Sequence, residues 1–329
     1  MTKDFLKGKR VLITGGTGSF GQKCAELLQG KGLDRIMVLS RDELKQSEMQ
    51  QKWPDTQRAD STMRYFVGDV RDKDKLLLAF KNVDMVIHAA AMKQIPACEY
   101  NPSEAVKTNV IGAQNVIEAA VERKVERVLA ISSDKAVNPI NLYGATKLVS
   151  EKLFVAANTL KTKFSLVRYG NVLGSRGSVL PIFQRQAEKG ILRITDDRMT
   201  RFWIVLDDAV NFSLDCLERM MGGEIFVPKM VSSPVVDLAN AVAGDRDCGL
   251  EITGIRPGEK LHETLVSDEE VGRVHDAVDS YVILPSIRFF NGDRFKSFTI
   301  SSNVKSYTSQ TNQWQIGAWE LAEMIKKVR

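Results

Sequence analysis

One short stretch restricts the fold more than any other. Lys9-Arg10-Val11-Leu12-Ile13-Thr14 runs straight into Gly15-Gly16-Thr17-Gly18-Ser19-Phe20-Gly21, and a helical pattern then continues to about Leu28. Gly15, Gly18 and Gly21 keep a three-residue spacing, and Gly16, Gly18 and Gly21 satisfy GxGxxG. Glycines here permit a tight turn and close backbone approach, and the amino end of the following helix faces a pyrophosphate. With a strand before it and a helix after it, the loop predicts a dinucleotide site in which Gly15, Thr17, Gly18, Ser19, Phe20 and Gly21 make contact.

The rhythm continues. Arg35–Leu39, Met63–Val67, Asp84–His88 and Val128–Ser132 read as further buried strands, each separated by helical pattern, which predicts a doubly wound parallel sheet. At the tip of the second strand, Ser40, Arg41 and Lys45 suit a ribose 2′-phosphate and predict NADP over NAD. Asp42 leaves the acidic, NAD-like role open. Glu43 and Leu44 belong to the same contact run. Asp69 is placed either to meet the adenine amine or to cap the helix starting near Asp72, with Val70 beside it. Ala90, among small residues after the fourth strand, lets a cofactor lie close to the backbone. His88 reads as a core histidine, and Lys93 as a substrate contact or a solvated loop lysine. A single long helix is expected from Asn101-Pro102 to Glu122.

Ser133, Asp134 and Lys135 fall at the carboxyl end of the fifth strand, the edge where open α/β sheets bind ligands. Tyr143 and Lys147 are four apart on a helix from about Leu142 to Asn158, so they share a face. An ammonium beside a phenol is expected to lower the Tyr pKa from about 10 and make the phenolate a base. A desolvated Lys135 is likewise expected to fall toward neutrality. Successive strand residues face opposite ways, so Asp134 and Lys135 converge only where the backbone leaves strand geometry. The plain alternatives are a surface Tyr with a solvated Lys, and a solvated Asp-Lys turn.

Beyond Arg168 the pattern changes. Tyr169 to Val179 is glycine-rich and too long for a simple turn, and its amides with Arg176 suit a nucleotide diphosphate. Ile255–Lys260 is a turn presenting Arg256 and Glu259, and 293–313 is polar with little periodicity. The division expected is a nucleotide-binding part, 1–170 with a returning segment at about 201–227, and a substrate part at about 171–200 and 228–329. At 329 residues, 43% hydrophobic and 26% charged, with net charge +5, the chain has the composition of a globular protein without a nucleic-acid arm. No apolar run approaches the roughly 18 residues of a spanning helix, so a cytoplasmic protein without membrane contact is expected. Four cysteines lie far apart without metal spacing, and no metal is expected.

The runs TGGTGSFG, SRDELKQSEMQ, HAAAMKQIP, SSDKAVNPINLYGATK, RYGNVLGSRGSV, MTRFWI and IRPGEKLHE resemble the extended short-chain dehydrogenase/reductases. Within them the chain is most similar to the inverting UDP-N-acetylglucosamine 4,6-dehydratases that begin pseudaminic acid synthesis. The resemblance implies an α/β fold, a Rossmann sheet with a smaller α/β substrate-binding domain, NADP as cofactor, UDP-N-acetylglucosamine as substrate, and a homo-oligomer from dimer to hexamer. It implies that Tyr143, with Lys147, deprotonates the C4 hydroxyl during oxidation, that Lys135 takes the C5 proton, and that Asp134 protonates the departing C6 hydroxyl. Ser133, standing where the family usually has Thr, would bond the substrate. Lys93, Asn171, Val172, Arg176, Gly177, Ser178, Val179, Leu180, Thr195, Met199, Arg256 and Glu259 would complete the substrate site. Lys135 in place of Glu points away from the glucose-nucleotide dehydratases, and Tyr143 in place of Met points away from the membrane-anchored retaining enzymes. A 4-epimerase and a non-catalytic NADP-binding regulator are the alternatives.

Overall fold

The computed structural model describes residues 5–54, 62–287 and 292–328. Six strands form the expected parallel core: β1 (Arg10–Thr14), β2 (Arg35–Ser40), β3 (Met63–Val67), β4 (Met85–His88), β5 (Arg127–Ser133) and β6 (Lys163–Tyr169). They lie in the order β6-β5-β4-β1-β2-β3. This is the doubly wound order with the switch point between β1 and β4. Helices cover both faces: α1 (Ser19–Leu28), α2 (Glu43–Lys52), α3 (Lys73–Ala79), α4 (Ile95–Tyr100), α5 (Pro102–Val106), α6 (Gly112–Glu122) and α7 (Leu142–Ala156). The central strands are nearly free of solvent contact, which is why they read as unbroken apolar runs: Val11, Leu12 and Ile13 of β1 and Val128 and Leu129 of β5 are fully buried.

Beyond β6 the sheet takes on Ile225–Pro228, parallel, and then Ser280–Ile283 and Val274–Asp276, both antiparallel. Two strands from the 228–329 stretch thus extend the nucleotide sheet, because their apolar residues Val274, Val282 and Ile283 join its core. A separate small core gathers Leu173, Leu180, Phe183, Met199, Trp203 and Leu238 among others. Over it lies a three-stranded sheet in which Thr200–Val205 pairs antiparallel with Val231–Pro234 and parallel with Asn171–Leu173.

The helix expected from 102 to 122 is broken. Between α5 and α6, Lys107–Ile111 forms a π-helical turn. Its extra residue buries Thr108 and Asn109 against α7 and the loop after β4, where a regular helix would rotate them away. Among the described residues, no helix is long and apolar enough to cross a membrane.

Candidate active site

A cavity of about 700 Å³ opens along the carboxyl edge of the sheet. At one end is the glycine loop. Gly15 adopts φ +66°, and a Cβ there would stand 2.8 Å from the Ala90 backbone. A Cβ on Gly21 would lie 2.5 Å from Gly16 Cα, so both positions require glycine if loop and helix are to pack. α1 begins at Gly18 with no side-chain cap and no acidic residue in its first turn. Its amino end is left to face the cavity with its partial positive charge, a fit for a pyrophosphate. Ser40 Oγ and Thr17 Oγ1 lie 2.6 Å apart and brace this loop against β2.

Asp42, to which the acidic role was open, is tied into its own helix. Its side chain caps α2, accepting from the Lys45 amide at 3.0 Å and from the Lys45 ammonium. Those bonds, with Arg176 adding its charge, hold the Asp42 carboxyl below the usual range. Arg41 is more than half exposed and reaches Asp69, its nitrogen 3.6 Å from Oδ2. Asp69 meanwhile binds Arg71, while Asp72 supplies the cap of α3. Arg176, expected over a substrate diphosphate, lies toward the cofactor end. Its amide donates to Ser19 Oγ at 3.0 Å and its guanidinium to Thr17 O at 3.4 Å.

The middle of the cavity brings together Ser133, Asp134, Lys135, Tyr143 and Lys147. β5 ends at Ser133, and Asp134–Ala136 turns as a 3₁₀ helix, the departure from strand geometry that the two side chains need. Lys135 Nζ lies 3.1 Å from Asp134 Oδ1, which also accepts from Ser133 Oγ at 2.8 Å. Asp134 is fully buried, and its Oδ2 has no partner. Burial alone would lower Lys135, but Asp134 and Glu263 outweigh it and raise the amine above its ordinary value. The expectation of a near-neutral free Lys135 is therefore corrected.

Tyr143 is corrected in the same way. Burial among Cys98, Ala105 and Met92 pushes its phenol up to about 12, against the lowering influence of Lys135 and Ser133. Lys147 donates to the Ile131 carbonyl at 2.6 Å, and burial lowers its amine to about 8. His88 is the core histidine expected, 2.8 Å from Thr14 Oγ1 and held down to about 3 by burial and Lys147.

Asn109, which falls within the helix expected from 102 to 122, clamps the loop after β4. It accepts from Met92 N at 2.8 Å and donates to Met92 O at 2.9 Å and to Thr146 Oγ1 at 3.0 Å. A buried Asn in so small-residued a helix was the only cue. Lys93, Ala90 and Val70 line the cavity, with Asn171, Val172, Gly177, Ser178 and Val179 on the far wall and Arg256 and Glu259 at the rim. Asn141 fastens that rim by donating to Gly258 O at 2.8 Å. Thr108 Oγ1, Asn171 Oδ1 and Ser178 Oγ are buried without partners, polar atoms left for a ligand.

Five expected residues do not line the cavity. Glu43 and Leu44 point to solvent from the first turn of α2, Leu44 being 67% exposed. Leu180 and Met199 are buried in the small core, where their apolar side chains pack. Thr195 spends its hydroxyl on Met199 Sδ at 3.0 Å.

The chain is similar to several known proteins. The family described as polysaccharide biosynthesis protein matches residues 11–285. The UDP-N-acetylglucosamine 4,6-dehydratase (inverting) of Campylobacter jejuni subsp. jejuni serotype O:23/36 (strain 81-176) is 49% identical over 97% of this chain and 98% of its own. The UDP-glucose 4-epimerase of Rickettsia conorii is 42% identical over 84% of this chain and 82% of its own. Among solved structures, Pen from Bacillus thuringiensis superposes with a TM-score of 0.89 at 35% identity, covering 98% of this chain and 99% of that one.

Proposed function

Because the chain belongs to the family of polysaccharide biosynthesis proteins, we propose that it is a UDP-N-acetylglucosamine 4,6-dehydratase that inverts C5. The observation that carries this is the convergence of Tyr143, Asp134 and Lys135 on one cavity, beside a glycine cradle that side chains would fill. The cofactor proposed is NADP, held by Gly15, Thr17–Gly21, Ser40, Arg41, Lys45, Asp69, Val70 and Ala90. Bound there, the cofactor would supply the hydride chemistry, oxidation at C4 and reduction at C6. The rest is done by the protein's own groups.

Tyr143 must first give up its own phenol proton; as the phenolate it takes the C4 hydroxyl proton, and the ketone left at C4 acidifies the C5 hydrogen. The Asp134–Lys135 ion pair becomes an acid and a base when the ammonium passes its proton along the 3.1 Å contact. Lys135 then removes the C5 proton while Asp134 gives the proton it received to the C6 oxygen, and water leaves. A proton delivered to the other face of C5 inverts it. In this reading 171–200 and most of 228–329 hold the sugar nucleotide, and the protein works as a homo-oligomer away from membranes.

The test is mass spectrometry of UDP-N-acetylglucosamine incubated with protein and NADP. Loss of one water is expected, and NMR of the product then reads C5. An unchanged mass with a new C4 epimer would instead favour the 4-epimerase reading that the Rickettsia relative suggests. Tyr143→Phe should leave C4 unoxidised, and Lys135→Ala should stop water loss.

A further inference from the structure

Glu263 closes the IRPGEKLHE stretch just before the short strand Thr264–Val266, and it is 2% exposed. Its Oε1 stands 3.3 Å from Lys135 Nζ, so the amine has two carboxylates within ion-pair range. The backbone of Glu263 is pinned at both ends. Its amide donates to Ser309 Oγ at 2.9 Å, and its carbonyl accepts from Ser309 N at 2.8 Å. The carboxylate itself meets only cations: Lys260 at 3.9 Å and Arg201 at 4.0 Å in addition to Lys135. Its Oε2 has no hydrogen-bond donor. A buried carboxylate with an unsatisfied oxygen is costly. No hydrogen bond to the carboxylate oxygen Oε2 offsets that cost, whereas the charge falls on the Lys135 amine.

We propose that Glu263 is a positioning residue for the elimination: with Asp134 it fixes the Lys135 amine in the cavity and supplies the counter-charge for the ammonium that forms there. The inference rests on the dehydratase reading. In the step, the C5–H bond breaks and its proton joins the Lys135 lone pair. The electron pair left behind becomes the C5–C6 double bond as the C6–O bond breaks. Asp134 gives its proton to the departing oxygen, and water leaves. Lys135 ends positive and Asp134 negative, while Glu263 stays a carboxylate throughout. Before the step its charge is met by Lys260 and Arg201, so a neutral Lys135 does not leave it unpaired.

Other groups face the amine as well. They are Asp134 on its own turn, Tyr143 on α7, Lys93 after β4, Arg201 on the strand Thr200–Val205, and Lys260. His262 turns away to Thr200 Oγ1, 2.9 Å distant. Removing the Glu263 charge leaves Asp134 alone to raise Lys135 against burial and Arg201, so the neutral amine should appear at lower pH.

The experiment compares Glu263→Gln with the wild type on UDP-N-acetylglucosamine and NADP in deuterated buffer across pH. Single-turnover reduction of NADP reads C4 oxidation, mass reads water loss, and deuterium at C5 reads the base. C4 oxidation should stay within about twofold while water loss slows at least about tenfold. The falling pH limb of elimination, where the Asp134–Lys135 pair loses its shared proton to solvent, should move about one unit lower. An unmoved limb, or oxidation and elimination slowed by the same factor, overturns the proposal. Glu263→Asp keeps the charge on a shorter arm, so its limb should remain at the wild-type pH with slower water loss. Should Glu263→Gln not fold, wild-type water loss in Glu263→Asp overturns the positioning role. A wild type that removes no water overturns the dehydratase reading instead, which is a separate outcome.

Discussion

Lys147 Nζ donates to the carbonyl oxygen of Ile131 at 2.6 Å. The helix that carries Tyr143 is thereby tied to the strand that delivers Asp134 and Lys135. This bond forms in a site that burial makes hostile to charge, and both members of the Tyr143–Lys147 pair are displaced toward neutrality, to about 12 and about 8.

That displacement has a sign in stability. Lys147 titrates lower when folded than when unfolded, so between about pH 8 and 10.5 the unfolded chain binds more protons, and the Lys147 contribution rises with pH. Tyr143 titrates higher when folded, so its contribution falls as pH rises between about 10 and 12. Lys147→Met should therefore gain on the wild type at pH 7, by an amount that shrinks by roughly 3 kcal/mol toward pH 10. Urea unfolding at the two pH values measures it. An equal difference at both would count against the lowered amine.

Beneath the site, Arg168 bonds Glu151 of α7 through Nε and a terminal nitrogen, at 3.0 and 2.7 Å. It also reaches Glu270 at 2.8 Å and the Leu265 carbonyl at 2.9 Å. Glu151 in turn accepts from Ser132 Oγ at 2.5 Å. Arg168→Met strands two carboxylates, one of them fully enclosed, and should cost about 3–5 kcal/mol in urea unfolding. Arg168→Met with Glu151→Gln should recover part of that loss, because one stranded charge is gone.

How much of this could be read from the chain depends on where each residue gets its instructions. The strands β1, β2, β4 and β5 were legible because both faces are buried, and only unbroken apolar runs survive there. Asp134 and Lys135 were legible because alternation forbids both facing one cavity unless the strand ends. The π turn at Lys107–Ile111 was not, since local helix propensity is continuous across it and the extra residue is set by Asn109 reaching Met92. The titration of Tyr143 was misjudged from its i,i+4 neighbour, because burial of the phenol outweighs the lowering by Lys135 and Ser133. Glu263 sits in a polar stretch without periodicity, and only the tertiary fold brings it to Lys135.

Asn109→Ala removes three hydrogen bonds and leaves both Met92 backbone groups without their partner. A loss of about 2 kcal/mol in stability is expected. The larger effect should be on turnover, since the freed loop carries Ala90 and Lys93. Asn109→Asp keeps the acceptor for Met92 N and should fall between the two. Turnover in Asn109→Ala matching the wild type would separate the clamp from the site.

Gly15→Ala should abolish dinucleotide binding. The position has φ +66°, and the new methyl would press on the Ala90 backbone at 2.8 Å, so the loop must shift where the pyrophosphate would lie. Titration of NADPH fluorescence is the measurement. Gly8, also at positive φ but with nothing within 4 Å of an added Cβ, is the control. Gly8→Ala bears only the backbone strain and should bind normally.

The choice between NADP and NAD turns on Asp42. An acidic side chain at this strand tip selects NAD by accepting the ribose 2′-hydroxyl, and it excludes a 2′-phosphate by like charge. Here its oxygens are already engaged by the Lys45 amide and ammonium, and Arg41 stands exposed beside them. A 2′-phosphate would find Arg41 and Lys45 as cations, with Asp42 screened by its own helix cap. Arg41→Ala should weaken NADP binding at least about tenfold and leave NAD nearly unchanged, because only the phosphate loses a charge-assisted bond. Lys45→Met should do more, since it frees Asp42 as well as removing a cation: NADP falls and NAD rises. Equilibrium titration of both cofactors against the two variants checks this. Equal losses for NAD and NADP in Arg41→Ala would place the arginine outside the phosphate pocket and return Asp42 to the acidic role.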